Sequence, residues 1–151
     1  MMSECCNPRR SGGFSLLELM VTVAVATILF TIAVPTYQAQ VRKSRRTEAR
    51  TAVMDLAARE ERYYSVNNSY SNSALQLGYG AQDVAITDLT IASGYYQVSV
   101  ESFPAIPPAR ARFKVTAKAF GPQLKDTACQ TFVVDQTGTQ TSAPSATACW
   151  N

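Results

Sequence analysis

Residues 9–18 of the chain read RRSGGFSLLE, and the apolar run that starts within them extends to Val34. Small residues therefore stand directly ahead of a long apolar segment. In a secretory signal peptide the order is reversed, so that cleavage removes the apolar part. Cleavage after Gly13 would keep it. This order predicts a leader, residues 1–13, that is removed on the cytoplasmic side and leaves a mature chain beginning with an apolar helix.

The apolar run is long enough to cross a membrane. From Phe14 to Val34 it has twenty-one residues, and Glu18 is the only charged one among them. As a helix rising about 1.5 Å per residue, it spans about 32 Å, against about 30 Å for a hydrocarbon core. A core helix of a soluble domain is the alternative, but such helices seldom carry so long an apolar run. We therefore predict a transmembrane helix over residues 14–36.

Glu18 is the exceptional side chain of this run, because a charge near the bilayer centre costs roughly 2.5 to 3.5 kcal/mol. Cleavage after Gly13 would create a positive amine on Phe14, one helical turn away. That amine, or the same group of an adjacent copy, could neutralise the carboxylate. The alternative is that Glu18 lies at headgroup depth and is solvated. Pairing predicts that Glu18 takes part in subunit assembly.

These residues resemble those of a known family. Gly13 to Met20, the apolar helix after them and Pro35 resemble the class III signal of type IV prepilins. Within that family, the basic stretch 42–46, the run 61–64 and the carboxy-terminal cysteine pair ending at Trp150 resemble the PilE-type minor pilins. The similarity is specific over about residues 9–70. Beyond them it rests on spacing and composition.

The resemblance implies the pilin fold and a sequence of events. Prepilin peptidase cuts between Gly13 and Phe14 and methylates the new Phe14 amine. The subunit then waits in the inner membrane as a single-pass protein, amino terminus cytoplasmic, before it joins the extracellular pilus. The implied partners are the prepilin peptidase, other major and minor pilins, the inner-membrane pilus assembly machinery and a tip adhesin. The implied functions are pilus assembly or priming, twitching motility and cell adhesion.

The distribution of cations conflicts with this orientation. Arg9 and Arg10 precede the apolar run, whereas Arg42, Lys43, Arg45 and Arg46 follow it, and the positive-inside rule would place the larger group in the cytoplasm. We follow the leader instead, because a cytoplasmic peptidase junction has no purpose if the amino terminus is exported.

Composition limits the possible functions. The chain has 151 residues, no histidine and a formal net charge of +3 at pH 7. This length allows one helix and one modest globular domain, residues 37–151. Without histidine, catalytic triads and general bases that depend on imidazole are excluded, and four cysteines are the remaining soft metal ligands. We expect a non-enzymatic protein with no metal and no cofactor.

The cysteines divide by compartment. Cys5 and Cys6 belong to the predicted leader in the reducing cytoplasm, whereas Cys129 and Cys149 belong to the part delivered to an oxidising space. We expect a disulfide between Cys129 and Cys149. Two free buried thiols are the alternative.

The helix is expected to continue to about Tyr64 as an amphipathic second half that packs under a sheet. Its apolar positions recur at helical spacing: Val41, Ala49, Ala52, Val53, Leu56, Ala57, Tyr63 and Tyr64. Charged positions on the other side are expected to face water: Arg46, Arg50, Asp55, Arg59 and Arg62.

Pro35 falls inside this helix, where it removes a backbone hydrogen bond and clashes with the preceding turn. We therefore expect a kink at Pro35. The resemblance implies that pilin helices loosen near this position during assembly. Thr27 stands where many pilins have a glycine that assists the loosening.

The remaining chain predicts strands. After an irregular connection over 67–80, period-two alternation indicates strands over 95–102, 112–119 and 131–135, and a turn at 135–138 leads to a short strand around 139–142. The proline-rich stretch 104–108 joins the first two strands. The predicted fold class is α+β: a long N-terminal helix, first half transmembrane and second half amphipathic, on a three- or four-stranded antiparallel sheet.

Three other functions are compatible with these features. They are a pseudopilin of a type II secretion system, a major pilin, and a DNA-uptake receptor built on a pilin scaffold. Clustered cations at 42–46 could neutralise phosphates of nucleic acid or lipid. Contacts with headgroups or with other subunits account for them better, so we do not expect nucleic acid as a partner.

Overall fold

The computed structural model describes residues 13–91, 93–107, 109–145 and 149–150. Helix α1 spans Leu16–Asn67. The chain divides into two compact units, Met1–Ala39 and Gln40–Asn151. Residues 1–12 of the predicted leader, including Cys5 and Cys6, lie outside the described residues.

The described part of the first unit comprises residues 13–15 and the N-terminal part of α1, and its large apolar side chains are exposed. Phe14 is 80% and Phe30 66% exposed, and by length and composition the helix could cross a membrane. Threonine hydroxyls along this part donate to backbone carbonyls three or four residues earlier, as Thr27 does to Val23 (2.8 Å). Such bonds satisfy polar groups within the helix, which a segment in contact with lipid requires.

Pro35 lies inside α1, and the helix continues on both sides of it. Thr31 and Thr36, which flank Pro35, donate their hydroxyls to the carbonyls of Ile28 and Ile32. Threonine back-bonding and an internal proline both favour bending of a helix. The kink at Pro35 stays a prediction.

The second part of α1 belongs to the second unit and buries one face. The buried side chains are Ala49, Val53, Leu56, Ala57 and Glu60. They follow the three- and four-residue spacing of a single helical face. The helix ends at Asn67, three residues later than predicted. Asn68 follows with a φ of 52°, and its N–H donates to the Tyr64 carbonyl (2.8 Å), an ending in which asparagine often takes the place of glycine.

The second unit contains one antiparallel sheet of five strands in the order β1-β2-β3-β4-β5. The strands are β1 (Leu89–Thr90), β2 (Tyr96–Phe103), β3 (Arg112–Ala119), β4 (Cys129–Asp135) and β5 (Gln140–Pro144). A short 3₁₀ helix, η1 (Gly121–Lys125), connects β3 to β4. A turn at Asp135–Gly138 connects β4 to β5, with the Gly138 N–H donating to the Asp135 carbonyl (2.9 Å).

The α+β prediction is therefore confirmed, and the strand count differs. Strands β2 to β5 lie within two residues of the predicted runs. Alternation is visible in β2 to β4, and in β3 Phe113, Val115 and Ala117 are buried. Strand β5 has no such alternation and was predicted from the turn before it. Strand β1 was not predicted, since two residues carry no periodic signal. Its pairing of Leu89 with Val98 and Thr90 with Gln97 makes the sheet five-stranded.

The core lies between α1 and the sheet and is closed by aromatic contacts. Tyr96 meets Phe132 edge to face (5.8 Å between centroids), and Phe132 meets Trp150 in the same way (5.6 Å). The expected disulfide is present: Cys129 and Cys149 are joined, with Cα atoms 5.7 Å apart. A closed loop of this length contributes about 3 kcal/mol in the chain-entropy account. It holds Trp150 beside the first residue of β4.

Candidate functional site

The predicted processing and assembly residues lie at the start of α1. Gly13 and Phe14 precede the helix and are exposed, and no heavy atom lies within 4 Å of the position a Cβ on Gly13 would take. Glu18 is exposed in the first helical turn. The unpaired N–H groups of that turn favour a carboxylate. Glu18 thus stands at the helix end where negative charge is best accommodated, four residues from Phe14.

Arg46 was expected to face water, and the structure corrects this. Its guanidinium makes two hydrogen bonds to the Asp126 carboxylate, each 2.6 Å, and the Asp126 side chain is only 3% exposed. The bond to Asp126 raises the pKa of Arg46 above its usual range. The prediction failed because the two residues are 80 positions apart in sequence. Arg46 therefore fixes the end of η1 against α1.

A buried polar network continues from Asp126 to the disulfide. Gln123, fully buried, donates from Nε2 to Asp126 (3.0 Å) and to the Tyr96 hydroxyl (3.2 Å). That hydroxyl donates to the Cys129 carbonyl (3.2 Å). Burial raises the pKa of Tyr96, which keeps its donating proton in place. Strand β2, helix η1 and the disulfide are thereby held together by directional bonds.

Glu60 is a buried carboxyl that sequence reasoning did not single out. Its residue exposure is 0%; Oε2 accepts a hydrogen bond from the Ser71 N–H (3.0 Å), and Oε1 has no hydrogen-bond partner among the described residues. Burial raises its pKa to about 7, against the lowering effect of the Ser71 bond. Its spacing could have indicated burial, because Glu60 follows Leu56 by four residues and so lies on the apolar face of α1.

Arg59 contacts the segment that follows α1 at residues 77–79, whereas Glu60 contacts it at Ser71. It pairs with Asp55 (2.9 Å), donates to the carbonyls of Leu77 (3.0 Å) and Gly78 (3.1 Å), and lies 4.8 Å from the centroid of the Tyr79 ring. Buried Glu60 and surface Arg59 therefore fasten the same connection through Ser71 and through residues 77–79.

The remaining members of the basic cluster are unequally engaged. The Arg45 guanidinium lies 3.3 Å from the centroid of the Tyr95 ring. Arg50, which follows the cluster by one helical turn, donates to the Trp150 carbonyl (3.1 Å). Lys43 is exposed. The cluster thus divides into cations that organise the second unit and cations that remain accessible.

A second set of cations lies on the outer face of β3, where Arg112, Lys114 and Lys118 are exposed. Lys114 pairs in register with Glu101 of β2 and with Asp135 of β4. Opposite charges on directly facing positions attract one another. The acids therefore reduce the positive potential at the centre of this face.

Two family models match the chain. The model described as "Prokaryotic N-terminal methylation motif" matches residues 8–34, and the one described as "Type IV minor pilin ComP, DNA uptake sequence receptor" matches residues 35–133. The second match covers well over half of the chain. Together they cover the end of the predicted leader, α1 and most of the sheet.

The chain is also similar to a curated protein, the type IV major pilin protein PilA of Myxococcus xanthus (strain DK1622). Identity is 34% over 76 residues, which is 50% of this chain and 34% of that relative. The match thus spans about a third of the length of the relative.

Among solved structures, one chain from the high-resolution structure of a type IV pilin from Shewanella oneidensis aligns with 24% identity and a TM-score of 0.47. The alignment covers 73% of this chain and 98% of that one. With the methylation motif and the minor-pilin model matched in succession along the sequence, the chain belongs to the type IV pilin family and is a minor pilin by its family model.

Proposed function

We propose that this protein is a non-enzymatic structural subunit of a type IV pilus that supports pilus assembly or priming, and through it twitching motility and adhesion. One observation carries the proposal: in the described part of the first unit, residues 13–39, the apolar side chains of the helix are exposed and Glu18 is the single acid. In water such a surface is unfavourable. It is suited first to lipid and then to other copies of the same helix.

The steps of the proposal follow from the start of the chain. The prepilin peptidase cuts between Gly13 and Phe14, which lie exposed ahead of α1, and methylates the Phe14 amine. The mature subunit stays in the inner membrane until it joins the filament. There the Phe14 amine of a neighbour neutralises Glu18, and removing the net charge favours docking in an apolar setting.

The test is replacement of Glu18 by Ala, followed by immunoblotting of membranes and of sheared fibres. Cleavage of the leader, seen as the shift in size, should be unchanged. Incorporation into sheared fibres should fall on the order of tenfold or more, because a charge inside apolar packing would lose its partner. Thr22→Ala is the matched control, since it changes a neutral side chain one turn away in the same helix. Unchanged incorporation of Glu18→Ala would overturn the charge-pair mechanism.

The same blot addresses two of the alternatives. A pseudopilin of a type II secretion system would remain in the membrane fraction of cells that make pili. A major pilin would be the dominant protein of the sheared fibre. We propose a minor subunit, present in the fibre in small amount.

A second candidate function is reception of DNA during uptake. It is supported by the description of the model that matches residues 35–133 and by the exposed cations of β3. It predicts that the mature chain binds duplex DNA with an affinity that falls steeply as salt rises, because binding releases counterions. The acids that face Lys114 favour the structural function. Absence of duplex binding at low salt would exclude the DNA-uptake function.

A further inference from the structure

An exposed apolar segment lies between β3 and β4. Phe120, just before η1, is 46% exposed, and Leu124 within η1 is 55% exposed. Lys118 and Lys125 flank the two apolar side chains, and both are exposed. Large apolar side chains bracketed by cations are typical of surfaces that meet a lipid headgroup region.

This segment is fastened to α1 at two points. Asp126, which follows η1, is held by the two 2.6 Å bonds from Arg46. On the other side, the Phe120 N–H donates to the Tyr95 carbonyl (2.8 Å), and the Arg45 guanidinium stacks on the Tyr95 ring. Phe120 and Leu124 are therefore placed beside residues 45 and 46 of α1.

The same part of α1 adds more positive charge. Arg42 and Lys43 belong to the turn that precedes Arg46, and Lys43 is exposed. Two acids lie close by, and each is already engaged: Asp126 is buried against Arg46, and Glu48 accepts a hydrogen bond from the Ser93 N–H (3.0 Å). We name this patch the η1 surface; it comprises Arg42, Lys43, Arg45, Phe120, Leu124 and Lys125.

We propose that the η1 surface docks on anionic phospholipid headgroups of the membrane that holds the subunit before assembly. The inference rests on the proposed function in one respect, that the mature subunit is anchored by its apolar helix. Charge complementarity identifies the occupant, since exposed cations beside apolar side chains match anionic headgroups above acyl chains. Arg42 and Lys43 follow the end of the apolar run at Val34 by eight and nine residues, so the anchor keeps the η1 surface within reach of the bilayer surface.

Docking has a consequence for assembly. Each Lys or Arg near an anionic surface strengthens binding about fivefold, and salt screens this attraction. Phe120 and Leu124 add an apolar contribution that salt does not screen. A docked second unit must leave the membrane when the subunit enters a filament. The η1 surface therefore sets part of the free-energy difference between the waiting and the assembled states.

The test uses the mature full-length chain reconstituted in vesicles of phosphatidylcholine, with or without phosphatidylglycerol. Phe120→Trp adds a fluorophore to the η1 surface, and lipids brominated near the headgroup end of the acyl chain quench it on contact. The parent chain, with Trp150 alone, supplies the background. We expect strong quenching in vesicles that contain phosphatidylglycerol and weak quenching in phosphatidylcholine alone.

Charge variants then show whether quenching depends on the cations of the η1 surface or only on insertion of the apolar helix. In the Phe120→Trp chain, Lys43→Glu with Lys125→Glu should lower the ratio of docked to undocked units on the order of 25-fold or more, since two cations are lost and reversed. Lys114→Glu, an exposed cation on β3 outside the η1 surface, is the matched control and should leave quenching unchanged. About 1 M salt should weaken quenching in the chain that carries Phe120→Trp alone, because the Debye length shrinks to about 3 Å.

Three results would overturn the proposal. The first is absence of quenching in anionic vesicles into which the chain has inserted. The second is equal quenching with and without phosphatidylglycerol. The third is shielding of the introduced indole only in assembled fibres, which would make the η1 surface a contact between subunits. None of these affects the blot of Glu18→Ala, so failure of the lipid contact is distinguishable from failure of the proposed function.

Discussion

The two parts of α1 use their apolar residues in opposite ways. In the first unit Leu29 is 61% exposed, whereas in the second unit Leu56 is fully buried. Each part also carries an acid among apolar residues. Glu18 is exposed in the first turn, and Glu60 is buried beneath the connection that follows the helix.

This difference in exposure shows where each part of α1 buries its apolar side chains. The second part of α1 finds its apolar partner within the same chain, in the sheet and the connection after the helix. The first part presents a surface of the same chemistry without such burial, so its partners must be lipid or other chains. Substitutions in the second part should therefore change the free energy of unfolding, and substitutions in the first part should change assembly.

The largest effect on unfolding is expected from Leu56→Ala. Removing a fully buried leucine side chain loses its transfer free energy and leaves a cavity, so the free energy of unfolding of the second unit should fall by about 3 to 4 kcal/mol. Urea unfolding of the full chain in detergent, followed by Trp150 fluorescence, measures the change. Leu29→Ala is the matched control in the same helix and should leave the urea midpoint unchanged. Equal destabilisation by both variants would contradict the claim that only the second part of α1 contributes to the stability of the second unit.

The next effect is specific to pH and concerns Glu60. Its pKa is about 7 in the folded protein, above the ordinary 4.5, so the folded state holds its proton more tightly than the unfolded state does. Stability of the parent chain should therefore fall as pH rises from about 4.5 to about 7 and level off above that range, by about 3 kcal/mol in all.

Glu60→Gln should remove this loss, because the amide does not titrate and its oxygen can still accept from the Ser71 N–H. The variant should match the parent near pH 4.5 and exceed it by up to about 3 kcal/mol at pH 8. Urea midpoints at the two pH values measure this, with Asp88→Asn, at an exposed position outside α1, as the control. A parent chain with the same midpoint at both values would show that Glu60 is charged when folded.

A smaller effect is expected from Arg59→Met, which tests a partly exposed contact of the second part of α1. The substitution keeps an apolar stem and removes the bonds to Asp55, Leu77 and Gly78. Since these bonds are partly exposed, the expected loss is about 1 kcal/mol. Hydrogen exchange should quicken mainly over residues 71–80. Arg62→Met, at an exposed position on the same helix, should leave exchange in that range unchanged.

Much of the fold could be predicted from the sequence because its signals are local. The period of α1, the alternation of β2 to β4 and the turn that leads into β5 each lie within a few neighbouring residues. The disulfide was predictable from compartment, since two of the four cysteines lie in the leader. Strand β1 was not predictable, because two residues among Thr, Asp and Ser carry no period of their own.

The sites divide in the same way. The roles proposed for Gly13, Phe14 and Glu18 rest on their order along the chain. The pairing of Arg46 with Asp126 joins residues 80 positions apart. The burial of Glu60 depends on which part of the chain folds over the end of α1, and Ser71 is the residue that meets it.

The sequence by itself determined that an apolar helix lies near the start of the chain, that this helix becomes amphipathic and that a sheet follows. These properties depend on hydrophobicity and periodicity, which neighbouring residues define. Only the tertiary structure decided which charged side chains are buried or paired. The free energy of a charge depends on the solvent excluded around it and on its partners, and both are supplied by residues distant in sequence.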